Sequence, residues 1–142
     1  MNPYHVVLDT NVIVAALRSS LGASYKLLSL VGSTDFEIHL SVPLVLEYED
    51  VAKRLVKEGS LSETEIDDIL DYLCSVARLH EVFFLWRPLL KDPKDEMVLE
   101  LAVAGQCDYI VTFNERDFAG IDQFGIQAIS PRDFLELLGE LS

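Results

Sequence analysis

The stretch that most constrains this chain is His5-Val6-Val7-Leu8-Asp9-Thr10-Asn11, an apolar run that stops on an acid, a hydroxyl and an amide. Val12-Ile13-Val14-Ala15-Ala16-Leu17 then resumes the apolar text. A short apolar run, a polar break and a longer apolar run predict a buried strand turning into a helix. In an open α/β sheet, ligands bind at the carboxyl edge of the strands, which places Asp9 at the mouth of a site. A helix cap at Thr10 or Asn11 accounts for one polar residue and leaves Asp9 over. Polar side chains between two core elements are costly to desolvate unless something uses them.

A second strand ends the same way. Tyr109-Ile110-Val111-Thr112 is an apolar run leading into Phe113-Asn114-Glu115-Arg116-Asp117-Phe118. Between the two, Phe36-Glu37-Ile38-His39-Leu40 alternates as a strand does. Ser41 then caps a helix with Pro43 in its first turn. On a helical wheel from Pro43 to Glu58, Leu44, Tyr48, Val51, Ala52, Leu55 and Val56 form one apolar stripe. Glu47 and Glu49 fall on its two edges, and periodicity does not choose between them. Ser24 is expected to cap a helix through Val31, and Ser62 opens an amphipathic helix whose acids are read as solvated. Val82-Phe83-Phe84-Leu85-Trp86 is expected as an aromatic strand, Gly125 to Ile129 as the last one, and Ser130-Pro131 as the start of the final helix.

Asp92-Pro93-Lys94-Asp95 combines a cap, a proline at the first helical position and an acid at the third. Capping therefore competes with chemistry for Asp95. Its wheel direction lies among Val98, Leu99, Ala102 and Val103, while Glu96 and Glu100 share the narrow polar arc. An unpaired carboxylate on the apolar side needs a partner, and a cation would supply one.

A chain of 142 residues, half of them apolar, fits one globular domain spanning 1–142. No apolar run approaches the roughly 20 residues of a membrane helix. Cys74 and Cys107 are isolated and read as reduced core residues of a cytoplasmic protein. His5, His39 and His80 are scattered singly, which argues against a zinc site. With 24 acids and 11 bases, the net charge of −13 has the wrong sign for passive nucleic-acid binding. It is compatible with a metal-dependent nuclease, whose site must be acidic to hold the metal.

Leu8-Asp9-Thr10-Asn11-Val12, Ser41-Val42-Pro43 with Leu46-Glu47-Tyr48, Asp92-Pro93-Lys94-Asp95 with Leu99-Glu100-Leu101-Ala102, and Tyr109 to Asn114 with Arg116-Asp117-Phe118 occur in this order. Together they resemble PIN domains, and in particular the toxin ribonucleases of VapC-like toxin–antitoxin pairs. The resemblance covers essentially the whole chain and rests on four motifs in register, none specific alone. It implies a three-layer α/β/α sandwich on a mostly parallel sheet of four to five strands. It further implies a carboxylate cluster binding Mg²⁺ or Mn²⁺ and cutting RNA, with a cognate antitoxin as partner and a homodimer admitted.

Carried over by position, Asp9, Glu47 and Asp95 match the first three acids of the family site. The fourth place departs from the commoner pattern. Asn114 stands where many members have an acid, and Asp117 matches the acid of the variant pattern. Asp117 is thus assigned as the fourth acid and Asn114 as an orienting or ligand amide. Thr10, Asn11 and Thr112 are assigned supporting hydrogen bonds. A haloacid-dehalogenase-like phosphatase would need an Asp where Asn11 stands. A PIN-like interaction module without catalysis is the remaining alternative.

Overall fold

The computed structural model describes residues 2–59, 61–81 and 89–140. Among these residues, five parallel strands form one sheet in the order β3-β2-β1-β4-β5. They are β1 (Tyr4–Leu8), β2 (Phe36–Ser41), β3 (Arg78–His80), β4 (Tyr109–Val111) and β5 (Gln127–Ile129). The helices are α1 (Thr10–Arg18), α2 (Ala23–Ser29), α3 (Val42–Lys57), α4 (Glu63–Val76), α5 (Pro93–Ala104) and α6 (Pro131–Leu137). Two short 3₁₀ turns, Glu115–Phe118 and Ile121–Phe124, separate β4 from β5.

The strand order explains the layers. From β1 the chain steps one way to β2 and β3, then returns to pair β4 on the other side of β1. Right-handed crossovers put the helices of the first two steps on one face and α5 on the other. The ring contacts agree. Phe134 of α6 packs on Tyr4, Phe36 and Tyr109 at centroid separations of 6.1, 5.4 and 5.9 Å. The opposite face, carrying His39, receives the C-terminal end of α5, where Gly105 leaves no room for a side chain. A Cβ there would stand 2.6 Å from His39 Nδ1. The three-layer α/β sandwich expected from the sequence is the fold observed.

Strand order reverses between β1 and β4, so their carboxyl ends form the topological switch point of the sheet. Leu8 pairs with Val111 there, which brings Asp9 and Thr112 to the same edge although 103 positions separate them. The strands are core: Val6, Val7, Leu8, Ile110 and Val111 are at most 2% exposed. Tyr48 pins α3 to this edge, its hydroxyl donating to the Leu8 carbonyl.

Several local expectations hold. Ser41, Ser62, Asp92 and Ser130 each cap a helix with a side-chain oxygen, and Ser62 with Glu65 closes a full capping box. Others do not. Ser24 lies inside α2, buried with its hydroxyl unpartnered, and the helix begins after Gly22. Arg78–His80 forms β3 directly after α4, in a stretch not expected to be a strand. The expected strand Val82–Trp86 lies outside the described residues. Glu96 and Glu100, assigned to a polar arc, are both buried, at 2% and 6% exposure. Among the described residues, α5 is the helix between β3 and β4, and it packs against β1, β2, β4 and α3. Its far side is covered too. Glu96 turns its carboxylate to the Leu89 and Leu90 N–H groups, capturing the segment leading into the helix.

Candidate active site

Asp9 is the N-cap of α1, and the cap is only part of its role. One carboxylate oxygen accepts from its neighbour Thr10 N–H at 2.8 Å, and the other accepts from Thr112 Oγ1 at 2.8 Å. Thr112 is fully buried. Besides donating to Asp9, its hydroxyl accepts from Asn11 Nδ2 at 3.3 Å and from Asn114 N–H at 3.0 Å. A hydroxyl has one proton and two lone pairs, and all three are used here. Asn11 Oδ1 in turn accepts from Phe113 N–H at 3.4 Å. Thr10, Asn11, Thr112 and Asn114 thus weld the ends of β1 and β4 around one carboxylate. Asn114 contributes through its backbone, and its side chain is exposed.

The other candidate acids come from three further elements. Glu47 lies on the second turn of α3, with its side chain 17% exposed, and Lys94 Nζ stands 3.4 Å from it. Glu49, at the other edge of the same stripe, is paired with Lys53 instead. Asp95 is half-buried in the first turn of α5, and the cap bond there is made by Asp92 to Lys94 N–H at 2.9 Å. Asp117 is exposed on the 3₁₀ turn after β4. It lines a cleft of about 360 Å³ together with Asp92, Asp95, Lys91 and Arg116.

These acids feel one another. Burial raises the Asp9 carboxyl above its ordinary 3.8, its hydrogen bonds to Thr112 and Thr10 hold it down, and the charges of Asp117 and Glu47 raise it again. Asp95 is pushed up to about 6, first by burial and then by Asp9, Asp92 and Asp117. Tyr48, fully buried and facing the Asp9 charge, is raised well above 10. Mutual repulsion among carboxylates is relieved by protonation or by a cation.

The donor set is all oxygen and fits a hard divalent cation such as Mg²⁺ or Mn²⁺. Asp9, Glu47, Asp95 and Asp117 are the residues available to hold it. As placed, no three carboxylate, imidazole or thiolate groups among the described residues are gathered around one point as a ready ligand set. The site is a field of acids at a rigid edge.

One cluster escaped the sequence. The three histidines, read as scattered, form a chain across β1, β2 and β3. His5 Nδ1 lies 2.9 Å from His39 Nε2, and His39 Nδ1 lies 2.7 Å from His80 Nε2. His39 is 2% exposed. Burial, followed by the neighbouring His80, His5 and Arg78 charges, lowers it to about 4. The registers of β1 with β2 and of β2 with β3 bring the three rings to one face, and those registers cannot be read from the chain.

Among solved structures, the chain is similar to a chain of VapBC2 from Rickettsia felis, determined bound to a DNA fragment from the promoter. The TM-score is 0.56 at 17% identity, covering 87% of this chain and 98% of that one. This is a likeness of fold. No curated protein matches. A PIN domain model matches residues 5–116, a span containing Asp9, Glu47, Asp95, Thr112 and Asn114 and ending one residue before Asp117. The chain belongs to the PIN domain family.

Proposed function

We propose that this protein is a metal-dependent endoribonuclease, hydrolysing RNA phosphodiesters at the carboxylate cluster, and that it is the toxin of a VapC-like toxin–antitoxin pair. The observation that carries the reading is Asp9, a nearly buried carboxylate at the switch point whose charge is felt by Asp95 and which in turn feels Asp117 and Glu47. Family membership and the VapBC2-like fold support it.

When bound, Mg²⁺ or Mn²⁺ would supply positive charge against the scissile phosphate and the leaving oxygen. Asp9, Glu47, Asp95 and Asp117 would hold it. The protein's own contribution is positional. Thr112 and Thr10 fix both oxygens of Asp9, Tyr48 ties α3 and hence Glu47 to the same edge, and Pro93 with the Asp92 cap fixes the first turn carrying Asp95. Such fixed geometry spares reorganisation during reaction. Among the described residues, no helix is long and apolar enough to cross a membrane. The acidic exterior suits an antitoxin presenting Arg or Lys side chains.

The Lys94–Glu47 pair favours a second reading, an interaction module in which lysine, not metal, neutralises the cluster. Incubating purified protein with RNA in Mg²⁺ or Mn²⁺ separates the two. Cleavage that disappears in Asp9→Asn and in chelator supports the nuclease, whereas intact RNA under every metal condition supports the module.

A further inference from the structure

Resting on the ribonuclease reading above, we propose that Phe113 is a stacking platform for one base of single-stranded RNA, and that Arg116 and Lys91 hold phosphates of that strand beside the acid cleft.

Phe113 directly follows β4 and Thr112, yet its side chain is 52% exposed. Exposed apolar residues are ordinary on protein surfaces. What sets this one apart is its mounting. Its own N–H is tied to Asn11 Oδ1, and the next N–H is tied to Thr112 Oγ1, the hydroxyl that also holds Asp9. The ring is therefore attached to the framework that orients the first candidate acid, and it is offered to solvent at the rim of the site. An aromatic face held in that way suits an unpaired base, because every base has a π-face to stack. A base inside a duplex is already stacked on both sides and cannot offer that face.

The cations complete the argument. In a chain with 24 acids and 11 bases, a cation is expected to find an acid, and most do. Arg18, Lys53, Arg54, Arg78, Lys94 and Arg132 each have a carboxylate within 4 Å. Among the described residues, Lys57, Lys91 and Arg116 are exposed and without such a pair, and of these Lys91 and Arg116 line the cleft with Asp95 and Asp117. Arginine presents a planar fork to phosphate and lysine a point charge. Two uncommitted cations flanking the acids are the local basic strip that a net charge of −13 makes necessary for a polyanionic substrate.

The test is fluorescence anisotropy of a short labelled RNA, as single strand and as duplex, binding to the full chain in Ca²⁺ between about 50 and 200 mM NaCl. Phe113→Ala should weaken single-strand binding about 5- to 100-fold, leaving the salt slope and duplex binding unchanged. Phe113→Trp should retain binding, and Phe113→Leu, which keeps bulk without the π-face, should not. Arg116→Ala and Lys91→Ala should each flatten the plot of log affinity against log salt by about 0.7. Melting temperatures near that of wild type confirm folding of these exposed variants. Affinity within twofold of wild type in Phe113→Ala and Phe113→Leu, unchanged slopes in both cation variants, or no binding by wild type would each overturn the proposal. Cleavage in Mn²⁺ is scored separately on gels. Binding with these dependences but no cleavage would refute the ribonuclease reading and leave the strand platform standing.

Discussion

Replacing Asp95 by Asn should make the metal-free protein more stable at neutral pH. The native carboxyl is pushed up to about 6 from an ordinary 3.8 by burial and by Asp9, Asp92 and Asp117. Between these values the native state binds the proton and the unfolded chain does not. Stability from this group is therefore fully present below about 4, is lost as pH rises to about 6, and is absent at pH 8. The displacement corresponds to at most about 3 kcal/mol. Partial exposure lets solvent screen the repulsion, and Asn keeps the burial while losing the favourable helix-dipole term of about 0.5 kcal/mol. A net gain of about 1 kcal/mol remains, or about 3–4 °C in melting temperature for a chain of this size. In excess Mn²⁺ the order should reverse. A ligand at 100 times its Kd adds about 2.7 kcal/mol to wild type, and the variant should gain far less. Differential scanning calorimetry at pH 8, with chelator and with Mn²⁺, reads both. Equal Mn²⁺ stabilisation of the two proteins, or a variant less stable than wild type in chelator, would refute the repulsion argument.

Two further perturbations test the scaffold. Thr112→Val keeps shape but strips Asp9, Asn11 and the Asn114 N–H of their shared hydroxyl, and should cost about 2–3 kcal/mol in urea unfolding. A loss under 0.5 kcal/mol would mean water replaces the hydroxyl freely. His39, lowered to about 4 mainly by burial, excludes a proton that the unfolded chain accepts near 6.5, so it should withdraw up to about 3 kcal/mol of stability as pH falls through that window. This opposes the Asp95 effect, and His39→Gln isolates it: the variant should lose less stability than wild type between pH 6.5 and 4, whereas parallel curves would contradict the assignment.

Much of this was legible because the chain writes its edges locally. Apolar runs halting at Asp9 and Thr112 announced both strand ends of the switch point, and Ser-Pro and Asp-Pro pairs announced helix starts. What failed depends on neighbours. Arg78–His80 is three residues long, exposed at Arg78 and Leu79, and follows α4 without a turn signal, so nothing but pairing with β2 makes it a strand. Glu96 and Glu100 occupy a polar arc on the wheel, but α5 is enclosed on several sides, and burial there is decided by what covers it. The histidine chain needs the Ser41–His80 and Val6–Ile38 registers. Of the two edge acids on α3, wheel position left Glu47 and Glu49 equal. In the structure Glu47 adds to the field on Asp9, while Glu49 answers Lys53.

The claim at the centre of this account is that Asp9, Glu47, Asp95 and Asp117 share a divalent cation. Anomalous diffraction from crystals grown in Mn²⁺ tests it most directly. The account predicts a manganese peak at the carboxyl edge between β1 and β4, with carboxylate oxygens of Asp9 and at least one of the other three about 2.2 Å away, and no peak there in Asp9→Asn. Saturating Mn²⁺ with no density at that edge, or an ion bound elsewhere with Lys94 still seated on Glu47, would contradict it.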